Sequence, residues 1–152
     1  MNKTMCFGVS LIAALTLTGI GSRAWALDKT IGYPGSNCYL VYSNWTQYTG
    51  PARYGTYLKN PLSSTMYGVC PIPLEQSRIV FGIEAHLNFG GGNCILLKTN
   101  SSGEPGTPMT PSSSGPGVAT WLNVTDASSV VVECTMSSQN NKIYDIEVAY
   151  TY

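Results

Sequence analysis

The sequence predicts an all-β protein, an antiparallel β-sandwich of about eight strands with two disulfides. Three observations lead to this fold class. Several segments alternate apolar and polar residues, as strands with one buried and one solvent-facing side do. Apolar residues at helical spacing are nearly missing beyond residue 26. Four widely spaced cysteines remain after an N-terminal export signal is set aside.

Three runs alternate most clearly, and they are predicted to be the main strands. They are Ile79–Phe89, Val130–Met136 and Tyr144–Tyr152. In the first run, the predicted buried residues are Phe81, Ile83, Ala85, Leu87 and Phe89. In the other two they are Val130, Val132, Cys134 and Met136, followed by Tyr144, Ile146, Val148, Tyr150 and Tyr152.

Shorter segments bounded by turn residues predict the remaining strands. These are Cys38–Tyr42, Ala52–Leu58, Thr65–Val69, Asn93–Thr99 and Val118–Val124. The glycines at 90–92 predict a hairpin turn, since no lysine or helix follows them to hold a phosphate. The stretch 100–117 is rich in Ser, Pro and Gly, and it predicts one long mobile loop.

The first 26 residues have the pattern of a secretory signal peptide. Lys3 precedes an apolar run from Phe7 to Ile20, and Ala24-Trp25-Ala26 forms a small-x-small cleavage site. We expect cleavage after Ala26 and a secreted single domain over residues 27–152, either periplasmic or extracellular. No later run is apolar enough to span a bilayer, so no membrane insertion is expected after cleavage.

Cysteine usage fits an exported protein. The mature chain keeps Cys38, Cys70, Cys94 and Cys134, an even number, which predicts two disulfides. Three connectivities are possible, and we favour Cys38–Cys70 with Cys94–Cys134 because each pair then closes one half of the chain. The chain lacks close cysteine pairs and has a single histidine, so neither a metal site nor a cofactor is expected.

Charge is sparse and excludes several partners. The chain has eight Lys and Arg and eight Asp and Glu, and Lys3 and Arg23 lie in the predicted signal, so the mature protein is slightly acidic. No basic stripe is present that would neutralise nucleic-acid phosphates or an anionic membrane. Nucleic acid is therefore not an expected partner.

Aromatic residues are concentrated between residues 39 and 57, among Ser, Asn, Thr and Gln side chains. They are Tyr39, Tyr42, Trp45, Tyr48, Tyr54 and Tyr57. Aromatic rings beside amides can stack on sugar rings and hydrogen-bond their hydroxyls, which makes this a candidate ligand-binding patch. The alternative is that part of the set packs in strands, where aromatics are common.

Two groups of titratable residues are candidates for catalysis. His86 and Glu84 fall on the same face of the Ile79–Phe89 run, as an acid/base pair would require. Glu133, Asp145 and Glu147 are candidates for a glycosidase-like carboxylate pair on neighbouring strands. Solvated strand faces explain both groups equally well and no nucleophile motif accompanies them, so no catalytic residue is predicted.

Short motifs around the cysteines suggest a resemblance. Gly35-Ser36-Asn37-Cys38, then Asn60, then Cys70-Pro71 and two further cysteines precede a terminal alternating strand. This layout resembles a group of small uncharacterised secreted bacterial proteins, which share a G-x-x-C near the mature start and a C-P after a short strand. The resemblance implies export, a disulfide-bonded β-sandwich and a bacterial source, and it brings no activity.

A fainter similarity is to fimbrial subunits, whose last strand also alternates and carries a tyrosine near its end. Those subunits donate a long alternating N-terminal strand to a neighbour. The segment 27–37 of this chain is short, contains Gly32 and Pro34 and does not alternate, which departs from that pattern.

We therefore expect a non-enzymatic extracellular or cell-surface protein that serves adhesion, assembly or protein contact. Its partner would be a glycan or a protein at the cell surface, or further copies of itself. The alternative is a carbohydrate-binding module that uses the aromatics between Tyr39 and Tyr57. An exported hydrolase or inhibitor is a third hypothesis.

Overall fold

The computed structural model describes residues 29–76, 79–99, 106–125 and 127–151. The described residues form ten strands: β1 Lys29–Pro34, β2 Tyr39–Val41, β3 Arg53–Tyr54, β4 Tyr57–Lys59, β5 Met66–Pro73, β6 Ile79–Gly90, β7 Cys94–Thr99, β8 Ser113–Val124, β9 Ser129–Met136 and β10 Lys142–Thr151. Two short 3-10 turns lie at Gly35–Asn37 and Gly91–Asn93. The predicted signal peptide lies outside the described residues.

The strands form two antiparallel sheets. The first sheet has the order β3-β4-β10-β6-β8, and β1 pairs with β10 beyond the end of β4. The second sheet has the order β2-β5-β9-β7. The turn after β6 therefore leads from the first sheet to the second, and the hairpin predicted at residues 90–92 is wrong. Both sheets pack against one continuous apolar core, so the predicted all-β sandwich is confirmed.

Large side chains from both sheets fill the core, and the fully buried ones include Trp121, Tyr150, Leu58, Met66, Ile83, Leu96 and Met136. The predicted alternation of β9 is confirmed, because Val130, Val132, Cys134 and Met136 are all fully buried. The β9 strand pairs with β5 and β7 without interruption, so every second residue stays on the same side.

Two predicted core positions are wrong, because β-bulges shift the alternation. The pairing of β10 with β6 slips between Ile143 and Asp145 and again between Ala149 and Tyr150. At the first slip Ile143 is fully buried, and Tyr144 is 40% exposed. At the second slip Val80 is in the core where Phe81 was predicted. An extra residue in one strand turns the following side chains over.

Sequence-based strand boundaries differ from the structure at several places. Strand β5 continues to Pro73, four residues past its predicted end at Val69. The segment predicted as one strand over 52–58 is a hairpin, β3 and β4, which turns at Gly55 with φ of +62°. Strand β1 was not predicted. Strand β8 begins at Ser113, so the long loop predicted over 100–117 is wrong for its second part. Residues 100–105 of that loop lie outside the described residues.

The residues just before β8 pack against both sheets. Met109 pairs with Leu96 of β7, and the Ser112 N–H donates to the Thr120 carbonyl of β8 at 2.8 Å. Strand β8 is an edge strand of the first sheet, and β7 is an edge strand of the second. The residues from Met109 to Ser112 therefore cover one edge of each sheet. Covered edges offer fewer free backbone groups to another chain.

Both predicted disulfides are confirmed, Cys38–Cys70 and Cys94–Cys134. Cys94 and Cys134 are direct partners on β7 and β9, while Cys38 precedes β2 and bonds to β5. Each bridge therefore joins neighbouring strands of the second sheet. Within the described parts of the chain, no helix is long and apolar enough to cross a membrane.

Candidate functional site

The six predicted ligand-binding aromatics do not form one patch. Tyr42, Trp45 and Tyr48 lie beside the second sheet, and Tyr54 and Tyr57 lie on the β3–β4 hairpin of the first sheet. Tyr39 is half-buried and lines a cavity of about 400 Å³ together with Tyr48. The structure thus divides the set between two surfaces and adds residues to each.

The first surface, which we call the Trp45 cluster, consists of Tyr42, Trp45, Tyr48 and Tyr67. Trp45 is 61% exposed and stacks on Tyr67 of β5, with ring centroids 5.6 Å apart and planes at 21°. The rings of Tyr42 and Tyr48 meet edge to face at 5.9 Å. Two ring pairs thus lie at the edge of the second sheet, Trp45 with Tyr67 and Tyr42 with Tyr48, and Tyr48 also packs against the core.

A tight turn presents Trp45 to solvent. The Trp45 N–H donates to the Tyr42 carbonyl at 2.9 Å, and the Tyr42 N–H donates to the Thr46 carbonyl at 2.9 Å. The turn places Trp45 in the left-handed region, with φ of +62°. Among the described residues, the other non-glycine positions with positive φ are Asn123 and Asn140. Asparagine tolerates this conformation, whereas a bulky residue there is strained.

The second surface, which we call the Tyr54 cluster, consists of Tyr54, Tyr57, Tyr144, Lys59 and Lys142. Tyr54 and Tyr57 stack at 5.8 Å with planes at 18°, and Tyr144 of β10 meets Tyr57 edge to face at 6.1 Å. The Lys59 ammonium lies 5.4 Å from the Tyr54 ring centroid, and the Lys142 ammonium lies 4.7 Å from that of Tyr57. Both distances allow cation–π attraction.

A third group contains the candidate acid/base pair on the outer face of the first sheet. His86 Nε2 is 2.8 Å from Glu84 Oε1, and His86 Nδ1 contacts Asp145 Oδ1. Thr120 Oγ1 donates to the second Glu84 oxygen at 3.2 Å. The predicted proximity of His86 and Glu84 is thus observed, and Asp145 joins them from β10. Because both ring nitrogens face carboxylates, neither faces a substrate as a general base would.

The two carboxylates determine the titration of His86. Partial burial acts to lower the pKa of His86, but hydrogen bonds to Glu84 and Asp145, together with their charges, outweigh it. The pKa of His86 is therefore raised above its ordinary value of 6.5. In its protonated form the ring donates to both carboxylates.

The raised pKa of His86 predicts that the folded state loses stability as the solution becomes alkaline. The stabilisation is complete below pH 6.5 and is lost as the pH rises through the folded-state pKa. Because His86 is the only histidine, its NMR titration is unambiguous. We expect the titration midpoint of His86 to lie above pH 6.5 in wild type. In the double variant that carries Glu84→Gln and Asp145→Asn, the midpoint should be lower. The control variant is Glu147→Gln, since Glu147 pairs with Glu84 across the strands. It should change the midpoint of His86 less than the double variant does. A wild-type midpoint at or below 6.5 would contradict the prediction.

The hypothesis of a glycosidase-like carboxylate pair that includes Glu133 is wrong. Glu133 lies on β9 of the second sheet, and Asp145 and Glu147 lie on β10 of the first. Burial raises the pKa of Glu133, and its side chain points away from the sandwich core because Val132 and Cys134 point into it. No group of three or more His, Cys, Asp or Glu side chains in the described ranges could hold a metal ion.

Sequence reasoning did not identify Tyr67, Tyr144, Lys59 or Lys142 as site residues. Tyr67 is 22 positions from Trp45, and only the pairing of β2 with β5 brings the two together. The spacing of Tyr57 and Lys59 by two residues was a signal, because residues so spaced share a strand face. The contribution of β10 depends on pairing between strands far apart in sequence.

The fold and these surfaces define a disulfide-bonded β-sandwich that displays two separate aromatic clusters. No protein-family model matches the chain, and no curated protein is significantly similar to it in sequence. Function therefore has to be inferred from the geometry of these surfaces.

Proposed function

We propose that the protein is exported and acts, without catalysis, as an adhesion or contact protein at the cell surface, using the Trp45 cluster to hold a partner protein. The observation that carries the proposal is Trp45, a 61% exposed indole in a left-handed backbone conformation. Local strain at a large exposed residue is typical of a functional position, because stability alone favours a different residue there.

The chemistry of the Trp45 cluster supports a contact role. Tryptophan and tyrosine dominate the energetics of protein interfaces, since they bury large areas and lose little rotamer freedom. Tyr67 holds the indole from behind, so its orientation is set before a partner arrives. Two disulfides and the signal-like N-terminus agree with an exported protein.

Two further observations bear on the role. Both ring nitrogens of His86 contact carboxylates, which favours a binding role for the protein over a hydrolytic one. Strand β10 pairs with β6 along one edge and with β4 and β1 along the other, so its edges are used within the chain. This arrangement favours contact through side chains over assembly by a strand donated to β10.

A second candidate is carbohydrate binding, favoured by the flat stacking of Trp45 on Tyr67. An exposed ring of this kind suits the apolar face of a sugar as well as it suits a protein. The glutamine and threonine beside the turn, Gln47 and Thr46, would supply hydrogen bonds to hydroxyls. Binding to a glycan array that is lost with Trp45 would establish this candidate in place of protein contact.

The test is to compare Trp45→Gly with wild type in binding to intact cells of the producing organism and to protease-treated cells. Glycine relieves the left-handed strain, which offsets the lost stacking on Tyr67, so we expect stability within about 1 kcal/mol of wild type. Binding to intact cells should fall at least about ten-fold, the effect of losing a contact of about 1.4 kcal/mol. Protease treatment should abolish the wild-type signal.

Two control variants sharpen the comparison. Trp45→Phe keeps an aromatic ring in the cluster and should retain part of the binding. Ile79→Ala removes an exposed apolar side chain from the first sheet and should leave binding unchanged. Equal binding by wild type and Trp45→Gly would overturn the proposal. If binding to cells survives protease treatment and the protein also binds a glycan array through Trp45, carbohydrate binding replaces protein contact as the function.

A further inference from the structure

We propose that the Tyr54 cluster is a binding site for an anionic saccharide, in which Lys59 and Lys142 together hold a carboxylate or sulfate group. The site lies on the first sheet and uses none of the residues of the Trp45 cluster. It therefore goes beyond the proposed contact function and can be tested separately from it.

The position of the two lysines is the main observation. Lys59 and Lys142 are direct partners on neighbouring antiparallel strands, β4 and β10. Side chains directly opposite each other have Cβ atoms about 4.5–5.5 Å apart, and like charges in such positions are destabilising. A sequence selected only for stability would be expected to place an acid opposite one of them.

Among the described residues, no acid forms an ion pair with either lysine. Within the part of the chain that the structure describes, the ion pairs are Lys29 with Glu75 and His86 with Glu84 and Asp145. Asp145, the acid nearest in sequence on β10, is therefore engaged by His86. The two ammonium groups instead lie over tyrosine rings, an attraction that is weaker than a charge-assisted hydrogen bond to an anion.

The surroundings of the lysines favour a saccharide. Tyr54 and Tyr144 are 36% and 40% exposed, so ring surface and hydroxyl groups lie beside the two charges. Rings of this kind pack against the C–H faces of sugars. The Tyr144 hydroxyl can donate to a sugar hydroxyl, and the Tyr54 hydroxyl, which donates to the Pro51 carbonyl at 3.3 Å, can still accept from one. A single carboxylate or sulfate between the lysines can accept hydrogen bonds from both.

The strand pairing argues against an acidic peptide as the ligand. Extended peptides commonly bind by adding a strand to a free sheet edge or by filling an apolar groove. At this site β4 lies between β3 and β10, and β10 lies between β4 and β6, so neither lysine strand has a free edge. What remains is the face of the sheet with two charges and three rings, which matches a charged sugar better.

The experiment measures binding of the purified protein to two matched pairs of probes by calorimetry at low ionic strength. The first pair is hexagalacturonate and its methyl ester, and the second is dextran sulfate and dextran. We expect at least one acidic member to bind and its neutral partner to bind at least about ten-fold more weakly, because the charge is what the lysines hold. Preference for one acidic probe identifies the carboxylate or the sulfate as the group recognised.

Variants place the binding at this site. Lys59→Gln with Lys142→Gln should weaken binding at least about ten-fold, while its Tm stays within about 2 °C because both residues are on the surface. Tyr144→Ala should weaken it by about three-fold or more. Lys98→Gln, on β7 of the second sheet, is the matched control and should bind like wild type. Trp45→Gly should also bind like wild type, so failure of the contact proposal leaves this result intact.

Any of four results would overturn the proposal, and the last of them concerns a peptide probe. One is that neither acidic saccharide binds, and another is that the neutral partners bind as well as the acidic ones. The third is that the double lysine variant binds like wild type. Poly-L-glutamate serves as the peptide probe, and binding as tight as that of the acidic saccharides would replace the saccharide with an acidic protein segment.

Discussion

Removing the Cys94–Cys134 bridge should lower the free energy of unfolding by about 4 kcal/mol. The bridge links residues 40 positions apart, and the chain-entropy model rates a closed loop of this length at about that value. Domains of this size have a total stability of about 5–15 kcal/mol, so the loss is a large part of it. The bridge also joins edge strand β7 to β9 at one end of their pairing, where fraying of the edge would otherwise begin.

The measurement is urea unfolding of wild type and of Cys94→Ala with Cys134→Ala, which leaves no unpaired thiol at this position. Cys38→Ala with Cys70→Ala is the matched comparison, since its loop of 32 positions predicts a loss only slightly smaller. A loss below about 1 kcal/mol in either variant would contradict the entropic account and would mean that strand pairing alone holds these edges.

The fold class could be predicted because the central strands alternate strictly. The four predicted core residues of β9 are correct, since its pairing with β5 and β7 has no irregularity. The predictions for β6 and β10 failed locally at Phe81 and Tyr144, where bulges insert an extra residue. A bulge depends on the register between two strands, and the sequence of one strand does not contain that register.

The strands and segments at the sheet edges were harder to predict from the sequence than the central strands. Strand β1 contains Gly32 and Pro34, which read as turn residues, although a glycine and a terminal proline are tolerated in an edge strand. The segment before β8 looked too polar to pack, yet its backbone pairs with edge strands through Met109 and Ser112. Backbone hydrogen bonds of this kind need no apolar pattern, so periodicity cannot detect them.

The candidate sites were predictable only in part for a related reason. The aromatic segment between Tyr39 and Tyr57 contains exposed rings such as Trp45 and Tyr54. The sequence could not divide them between two sheets, because that division follows from β2 and the β3–β4 hairpin joining different sheets. The pairing of Lys59 with Lys142 joins strands 83 positions apart, and only the sheet order brings them together.

Substituting Asn60 by alanine should lower the free energy of unfolding by about 3 kcal/mol, because a buried polar network loses its centre. Asn60 is fully buried, and its Nδ2 donates to the carbonyls of Ser64 and Met136 at 3.0 and 2.9 Å. Its Oδ1 accepts from the Leu62 N–H at 2.9 Å, so three backbone groups would lose their partner.

Asn60→Asp separates the hydrogen bonds from the packing, since it keeps the shape and the acceptor of Asn60. Its carboxylate would face the carbonyls of Ser64 and Met136, so we expect a loss at least as large as that of Asn60→Ala at neutral pH. Asn44→Ala is the control, because Asn44 is exposed and accepts one hydrogen bond within its own turn. Its loss should stay below about 1 kcal/mol. If Asn60→Asp were as stable as wild type in urea unfolding, the buried network could not be what joins the β4–β5 loop to the end of β9.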